Sequence, residues 1–420
     1  MNLHFSLYRL LSKTISPAIG VFSLFNSRAQ QWINGRKNWR SELSSVQEKL
    51  RPGCLWIHAA SLGEYEMARP LIRAYGDRYP DKSILVSFFS PSGYEHAKLE
   101  SLCHKIYLPA DTPANARFLI ETIKPGLIVF AKYDLWFNLI HAAEKGGIST
   151  AVMGYSPDEK KLNWPFYGKI LIQSLQSQWH IFTIDEKSLQ VLLKKDLENV
   201  TVGGDPRYLN VRQNASNAPS LPVLEEFSKR FSTVIVAGSV WMEDMAILRH
   251  FVGRNKGIGW IIAPHDVSPA NVKKICELLP SNFSLYSRLK QGEDAGESDT
   301  VVLDGIGTLA TAYRYADISY VGGAFNKGLH NIVEAAAFGS PVLFGPNYQR
   351  FPEAFDFIRE GLGASVSTPK EFEEVLTQYN QGNRFRSKKD ILDFIYRKAE
   401  QTKNMYSTLL NKFKQLNEAE

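Results

Sequence analysis

The chain predicts an α/β protein built from two Rossmann-like domains. Three observations carry this. Its 420 residues exceed one typical core. From residue 54 onward, short apolar runs alternate with helical patterns. A polar Asn/Ser/Pro stretch at 211–222 then interrupts the alternation, which restarts beyond it. With 44% hydrophobic and 22% charged residues, the composition is that of an ordinary globular protein.

The first series reads "CLWIHAA", "SILVSFF", "KIYLPA", "GLIVFA", "TAVMG", "HIFTID" and "VTVGG". The second reads "TVIVAG", "GWIIAP", "TVVLD", "ISYVGG", "PVLFG" and "ASVS". Unbroken apolar runs of this length suit parallel strands buried on both faces. The expected organisation is an arm at 1–40, a first domain at 41–212, a second at 213–385 and a charged helical segment at 386–420. Ligands of such sheets bind beyond the carboxyl ends of the strands. Two domains facing each other place the expected site in a central cleft.

The arm holds the whole charge excess. Arg9, Lys13, Arg28, Arg36, Lys37 and Arg40 face no acidic residue there, and the rest of the chain balances at 43 basic against 43 acidic. A basic surface spread over the protein, as nucleic-acid binding requires, is therefore not expected. Leu3, Leu7, Leu10 and Leu11 recur at helical spacing. The longest uncharged stretch, Thr14 to Ser27, has 14 residues, short of the roughly 18–20 that span a bilayer. The expectation is a helix lying in a membrane surface, the alternative a helix packed on the first domain. Cys54, Cys103 and Cys276 form no pair at close spacing, and the nine histidines show no zinc pattern, so neither a disulfide nor a metal is expected.

Two motifs follow strands. In "HAASLGEYE", Gly63 supplies a bend and Glu64 stands where a helix begins. Glu64 is either a general base or the fourth residue of a capping box with Ser61. The box requires its carboxylate folded back on the Ser61 N–H; the base requires it free. In "GGAFNKGLHNIVEAAAFG", Gly322, Gly323 and Gly328 form a loop of little bulk, Asn331 caps a helix ending at Gly339, and Glu334 lies one turn in. Such a loop offers N–H groups to a nucleotide phosphate, with Glu334 placed for ribose hydroxyls.

These motifs, with "YDLWFN" and "AGSVWMED", resemble the 3-deoxy-D-manno-octulosonic acid (Kdo) transferase family of lipid A biosynthesis, glycosyltransferases of the GT-B fold. The resemblance implies an inverting, metal-independent transfer of Kdo from CMP-Kdo to a phosphorylated lipid A precursor. It implies the cytoplasmic face of the bacterial inner membrane, with residues 1–40 at the membrane surface and no cofactor beyond the donor. The base is then Glu64, beside Gly63. Asp134 keeps the second acid of the family's E-T-E-L-W stretch, while Lys132 replaces the first and is available to a carboxylate or phosphate. Arg207 keeps a donor-facing cation, although Leu209 replaces the acid after it. Gly238 and Ser239 match a phosphate-proximal loop. Pro264 is kept, and His265 stands where arginine is usual. Asp304, Ile306, Gly307 and Thr308 match a nucleotide loop, with Thr308 in place of a glutamate. Gly322, Gly323, Gly328, His330, Asn331 and Glu334 complete the donor site. Arg69, Lys132 and Arg207 suit anionic substrates. The competing readings are another GT-B nucleotide-sugar transferase or epimerase, and a non-catalytic membrane-associated binding protein.

Overall fold

The computed structural model describes residues 3–280, 282–326, 328–382 and 384–418, without the side chains of Ile15, Ser16, Arg28 and Asn417. Of the arm's six cations, only the Arg28 side chain thus lies outside the description. The chain forms two units, Met1–Asn210 with Lys398–Glu420, and Val211–Arg397.

The first unit carries β1 (Leu55–His58), β2 (Ile84–Phe88), β3 (Cys103–Tyr107), β4 (Leu127–Ala131), β5 (Ser149–Tyr155), β6 (His180–Thr183) and β7 (Val200–Val202). They form one parallel sheet in the order β3-β2-β1-β4-β5-β6-β7. Every residue of β1, β2 and β4 is buried, which is why these segments read as unbroken apolar runs. The order of strands reverses between β1 and β4. The connections that follow them therefore leave on opposite faces of the sheet and open a crevice, where doubly wound sheets place ligands.

The second unit repeats the plan with β8 (Thr233–Val240), β9 (Ile258–Pro264), β10 (Phe283–Leu285), β11 (Thr300–Val302), β12 (Ile318–Val321), β13 (Val342–Phe344) and β14 (Gly363–Ser365). Its order is β10-β11-β9-β8-β12-β13-β14, again parallel, with the reversal between β8 and β12. The edge strand β10 has no counterpart in the sequence reading. Its three residues, Phe-Ser-Leu, are too short and too mixed to stand out as an apolar run.

One expectation, that the stretch 211–222 is a linker, is corrected. The polar stretch from 211 is no linker at its start, because the helix Pro206–Ser216 runs through it. Pro206 opens that helix at the position proline tolerates, and no glycine interrupts it before its end. The C-terminal segment is one helix, Lys388–Glu418, but no unit of its own: it divides after Arg397, and Lys398 onward clusters with the first unit. There the Thr402 hydroxyl donates to the Asp205 carbonyl (3.0 Å), and the Tyr406 hydroxyl to that of Met67 (2.7 Å).

The arm begins as the helix Leu3–Phe22 and is two-faced. Phe5, Tyr8 and Ser12 face the first unit: Phe5 meets the His141 ring edge-on, and the Tyr8 hydroxyl donates to Asp111 Oδ2 at 2.7 Å. Leu3, Leu7, Leu10 and Leu11 are exposed, as are Leu24 and Phe25 beyond the helix. Packing on the first domain and an outward apolar face thus coexist. Among the described residues no helix is long and apolar enough to cross a membrane. Arg36 is not a surface cation. It is buried, donates to the carbonyls of Leu108 (2.8 Å), Trp32 (3.1 Å) and Phe89, and stacks on Trp32 at 4.0 Å.

Asp111 also accepts the N–H groups of Asn138 (2.9 Å) and Leu139 (3.1 Å), in the first turn of the helix Phe137–Lys145. Burial pushes its carboxyl up to about 6 despite these donors. The folded state therefore binds this proton more tightly than the unfolded chain, and this group's contribution to stability falls as pH rises towards 6. Tyr8→Phe removes one donor to the charged form. It should raise the Asp111 value further and loosen the arm by about 1.5–3 kcal/mol. Faster proteolysis of residues 3–22 at neutral pH, measured against wild type, checks this.

Candidate functional site

In the first unit, the predicted acids meet at the switch point. β1 ends at His58 and the helix Leu62–Arg78 follows at once, with Glu64 in its first turn. Gly63 is in that first turn and makes no bend. A side chain there would meet only Ser61 Oγ at 4.0 Å, so the helix N-terminus is left open. Glu64 is folded back: its Oε2 accepts the Ser61 N–H at 2.8 Å and approaches Ser61 Oγ at 3.2 Å. Oε1 takes no hydrogen bond from any described residue. Capping and an available oxygen are thus properties of the same carboxylate. Burial raises the Glu64 carboxyl above the ordinary range, and the charge of Asp134 raises it further, against the pull of the Ser61 N–H and His58.

Asp134 follows β4, the neighbour of β1 in the sheet. It ends a chain of hydrogen bonds that starts in the core. The Trp56 indole N–H donates to Ser87 Oγ (2.8 Å), Ser87 Oγ meets His58 Nδ1 (2.9 Å), and His58 Nε2 meets Asp134 Oδ2 (3.1 Å). Because Ser87 already accepts from Trp56, its own hydroxyl is free to donate to Nδ1. In the neutral ring that leaves the Nε2 proton for Asp134. The Trp136 indole adds a donor at 3.2 Å. Burial alone would raise Asp134, but the His58 bond and charge, with Trp136, bring it below the ordinary aspartate range. Two neighbouring carboxyls are thereby driven apart, one towards holding a proton and one towards ionisation.

Lys132, just after β4, has a left-handed backbone (φ 63°) that turns the chain at the strand end. Its charge, with Arg207, acts on the buried Asp205. Arg207 Nε and Nη2 donate to Asp205 Oδ2 at 2.9 and 2.6 Å, and the Arg207 N–H to Oδ1 at 3.0 Å. Burial favours the acid form of Asp205, but Arg207 above all, and then Lys132, hold it below the usual range. Two cations therefore share one acid. Tyr133, exposed with the Lys132 ammonium 5.6 Å from its ring centre, feels the charges of Glu64, Arg207 and Asp134. The structure thus gathers Glu64, Lys132, Asp134 and Arg207. It does not leave Arg69 for a substrate, because Arg69 is tied to Glu66 (2.9 Å) and Glu100 (3.1 Å).

In the second unit, Gly238 and Ser239 lie in the bulged end of β8 and Gly322-Gly323 follows β12, again on the two strands flanking the reversal. The space Gly238 leaves is taken by the Tyr313 hydroxyl, 1.9 Å from where a Cβ would lie. Its role is packing. Ser239 adopts φ 52° and Gly323 φ 96°, and a Cβ on Gly322 would fall 2.5 Å from the Ser239 carbonyl. The loops are therefore in backbone contact, which only glycine at 322 permits. Asp244 joins them from the next helix. Fully buried, it accepts the Trp241 N–H (2.8 Å), the Gly323 N–H (3.1 Å) and the Tyr320 hydroxyl (2.7 Å).

His265, directly after Pro264 at the end of β9, stacks against both Trp241 (4.3 Å) and His330 (4.5 Å). The Trp241 indole donates to His330 Nε2 at 3.3 Å. Burial lowers His330 to about 4, and His265 adds to this, so the ring is neutral at physiological pH. Gly328 folds back on Gly323 (N–H to carbonyl, 3.0 Å), and Asn331 caps the helix Ile332–Ala336 by accepting the Glu334 N–H at 3.4 Å. Asp304 is engaged by the Ser287 N–H (2.9 Å) and hydroxyl. Ile306 is 87% exposed, and Gly307 has φ 87° beside Thr308. His58, Ser87, Trp241, Asp205 and Asp244 were not singled out from the sequence. A histidine closing a buried strand and an acid three residues after the loop's tryptophan were the available signals.

Two parallel α/β units, each with its motif loops at the strand reversal, are the architecture of a GT-B glycosyltransferase. Residues 37–210 match the family model of 3-deoxy-D-manno-octulosonic-acid transferase. The chain is 28% identical over 373 residues to the 3-deoxy-D-manno-octulosonic acid transferase of Haemophilus influenzae, covering 85% of each. It is 24% identical to that of Chlamydophila psittaci, covering 70% of each. Its fold is shared with UDP-GlcNAc 2-epimerase from Neisseria meningitidis (TM-score 0.57, 13% identity, 86% of this chain and 99% of that one). The chain is a homologue of the Kdo transferases over most of its length.

Proposed function

We propose that this chain transfers Kdo from CMP-Kdo to a phosphorylated lipid A precursor at a membrane surface, by an inverting, metal-independent displacement. Glu64 is the base. Its Oε2 is held by Ser61, which fixes the carboxylate's direction, and Oε1 takes the proton of the acceptor hydroxyl. The hydroxyl oxygen then attacks the anomeric carbon, and CMP departs with the electrons of the broken bond. Asp134, kept ionised by His58, places a like charge near Glu64 that raises its affinity for a proton. Lys132 and Arg207, whose joint charge exceeds that of Asp205, meet an anionic group of the substrates. In the second unit, Ser239 and the start of the helix Ile332–Ala336 meet the CMP phosphate, Gly322–Gly323 leave backbone room beside it, and Glu334 faces the ribose. Ile306, Gly307 and Thr308 line the base. The exposed leucines of the arm rest in the bilayer interface.

The observation that carries this reading is the buried, raised Glu64 beside an ionised Asp134 at the strand reversal. Mass spectrometry of the lipid formed from a defined lipid A precursor, with CMP-Kdo or with UDP-sugars as donor, tests it. A product heavier by one or more Kdo residues, from CMP-Kdo alone, is expected. Transfer or epimerisation with a UDP-sugar alone, or no product from any donor, refutes it.

A further inference from the structure

The arm's inner edge does more than pack. Two adjoining hollows, of about 220 and 430 Å³, lie along the helix Leu3–Phe22, and Arg9, Pro113 and Arg117 border both. They form one groove between the arm, the helix Pro113–Ile123 and the helix Phe137–Lys145. Four cations rim it: Arg9 and Lys13 from the arm, and Arg117 and Lys145 from the two domain helices. The acids facing it are Glu121 on the rim and Glu144, which stands 3.6 Å from His141. The excess is positive. His141 lines the floor, and its Nε2 is buried with no hydrogen-bond partner among the described residues. A polar ligand entering the groove would complete it. Leu10, 61% exposed, stands on the same rim, turned to the side where the arm presents its other leucines.

We infer that this groove is a binding site for the phosphate of an anionic membrane lipid, with the lipid's acyl chains lying along the exposed leucines. The inference rests on the membrane-surface reading of the arm and deepens it. Interfacial insertion needs only an apolar face and holds for any bilayer. A cationic groove closed by two domain helices selects the headgroup and fixes the domain's distance from the bilayer. Charge complementarity argues for the occupant: three helices converge four cations on one hollow with an apolar rim, and an anion with a hydrocarbon tail satisfies both. A soluble phosphate would leave the leucine rim unused.

The test uses the full chain and flotation with vesicles of phosphatidylcholine, with and without phosphatidylglycerol. Wild type should bind both and prefer the anionic ones. The variant R117Q/K145Q changes only exposed side chains and should lose about 30-fold of affinity for anionic vesicles, at roughly 1 kcal/mol per cation, while keeping its binding to neutral ones. K160Q/K161Q removes the same charge from exposed lysines outside the groove and should keep most of the preference. Equal loss in both variants, or none in R117Q/K145Q, overturns the groove as the source while leaving arm insertion standing. Failure of wild type to float with either vesicle refutes the arm reading and the groove together. Tight saturable binding of inorganic phosphate without vesicles, lost in R117Q/K145Q, would make this a soluble-anion site and overturn the lipid assignment.

Discussion

Glu64→Gln should lower kcat for Kdo transfer by about 10²–10⁴-fold, with the KM for CMP-Kdo nearly unchanged. The substitution is well suited because the side-chain amide can still accept the Ser61 N–H, now made to Oε2 at 2.8 Å. The helix start survives and only the proton acceptor is lost. Ser61→Ala should do the reverse. It removes the hydroxyl beside Oε2 and costs about 0.5–2 kcal/mol of stability at the helix terminus, with a far smaller fall in kcat. Steady-state kinetics on both variants, with urea unfolding alongside, separates the two roles. If Glu64→Gln transfers as fast as wild type, the base is elsewhere. The pH dependence has a definite sign. Burial and Asp134 raise the Glu64 carboxyl, so the base form is reached only above the ordinary glutamate range, and kcat/KM should climb with pH through that raised value. Stability runs the other way. The folded state holds this proton more tightly than the unfolded chain, so this group's contribution falls as pH rises through the same interval. Removing Asp134 as a charge, by Asp134→Asn, should shift the kinetic limb to lower pH, because the like charge beside Glu64 is gone.

The sequence was most legible where the physics is local. Strands buried on both faces must be apolar throughout, so thirteen of the fourteen could be read as runs, and Phe283–Leu285 could not. Glu64 and Gly322–Gly323 were legible because each follows such a run directly, each beside the reversal of strand order in its own sheet. What stayed hidden is what depends on distant residues. Nothing near His58 announces that Ser87, 29 positions away, will fix one ring nitrogen, and Asp134, 76 positions away, the other. Arg207 read as a lone cation because its partner, Asp205, is two residues upstream and is buried only by the fold. Arg36 read as a surface charge for the same reason: its three carbonyl partners are spread between Trp32 and Leu108. The polar stretch from 211 misled because Asn and Ser mark turns on average, whereas a helix already begun at Pro206 carries them at little cost.

Asp244→Ala should have the largest effect in the second unit, although the residue touches no substrate in the proposed reaction. Its carboxylate gathers the Trp241 and Gly323 N–H groups on Oδ2 and the Tyr320 hydroxyl on Oδ1, all out of water. Truncation strands three buried donors, and at about 1–3 kcal/mol for each donor left unpaired the unit should lose at least about 3 kcal/mol. The loss has a functional direction. Gly323 holds φ 96°, and Gly322 lies within backbone contact of Ser239, so the two phosphate-facing loops depend on this one acceptor for their spacing. Asp244→Asn should be distinctly milder. Its amide oxygen can replace Oδ2 towards both N–H groups, while its NH₂ donates to the Tyr320 oxygen, which can accept. The expected order in denaturant midpoint is therefore wild type, then Asn, then Ala, and CMP affinity measured below the unfolding transition should follow the same order. Equal CMP affinity in folded Asp244→Ala and wild type would show that the loops hold their spacing without the carboxylate. Burial keeps the Asp244 carboxyl above the ordinary range even with these donors, so part of its hold on the loops should weaken on acidification as the carboxylate takes up a proton. The Asn variant has no such proton to take up, and its CMP affinity should lose that component of the pH dependence.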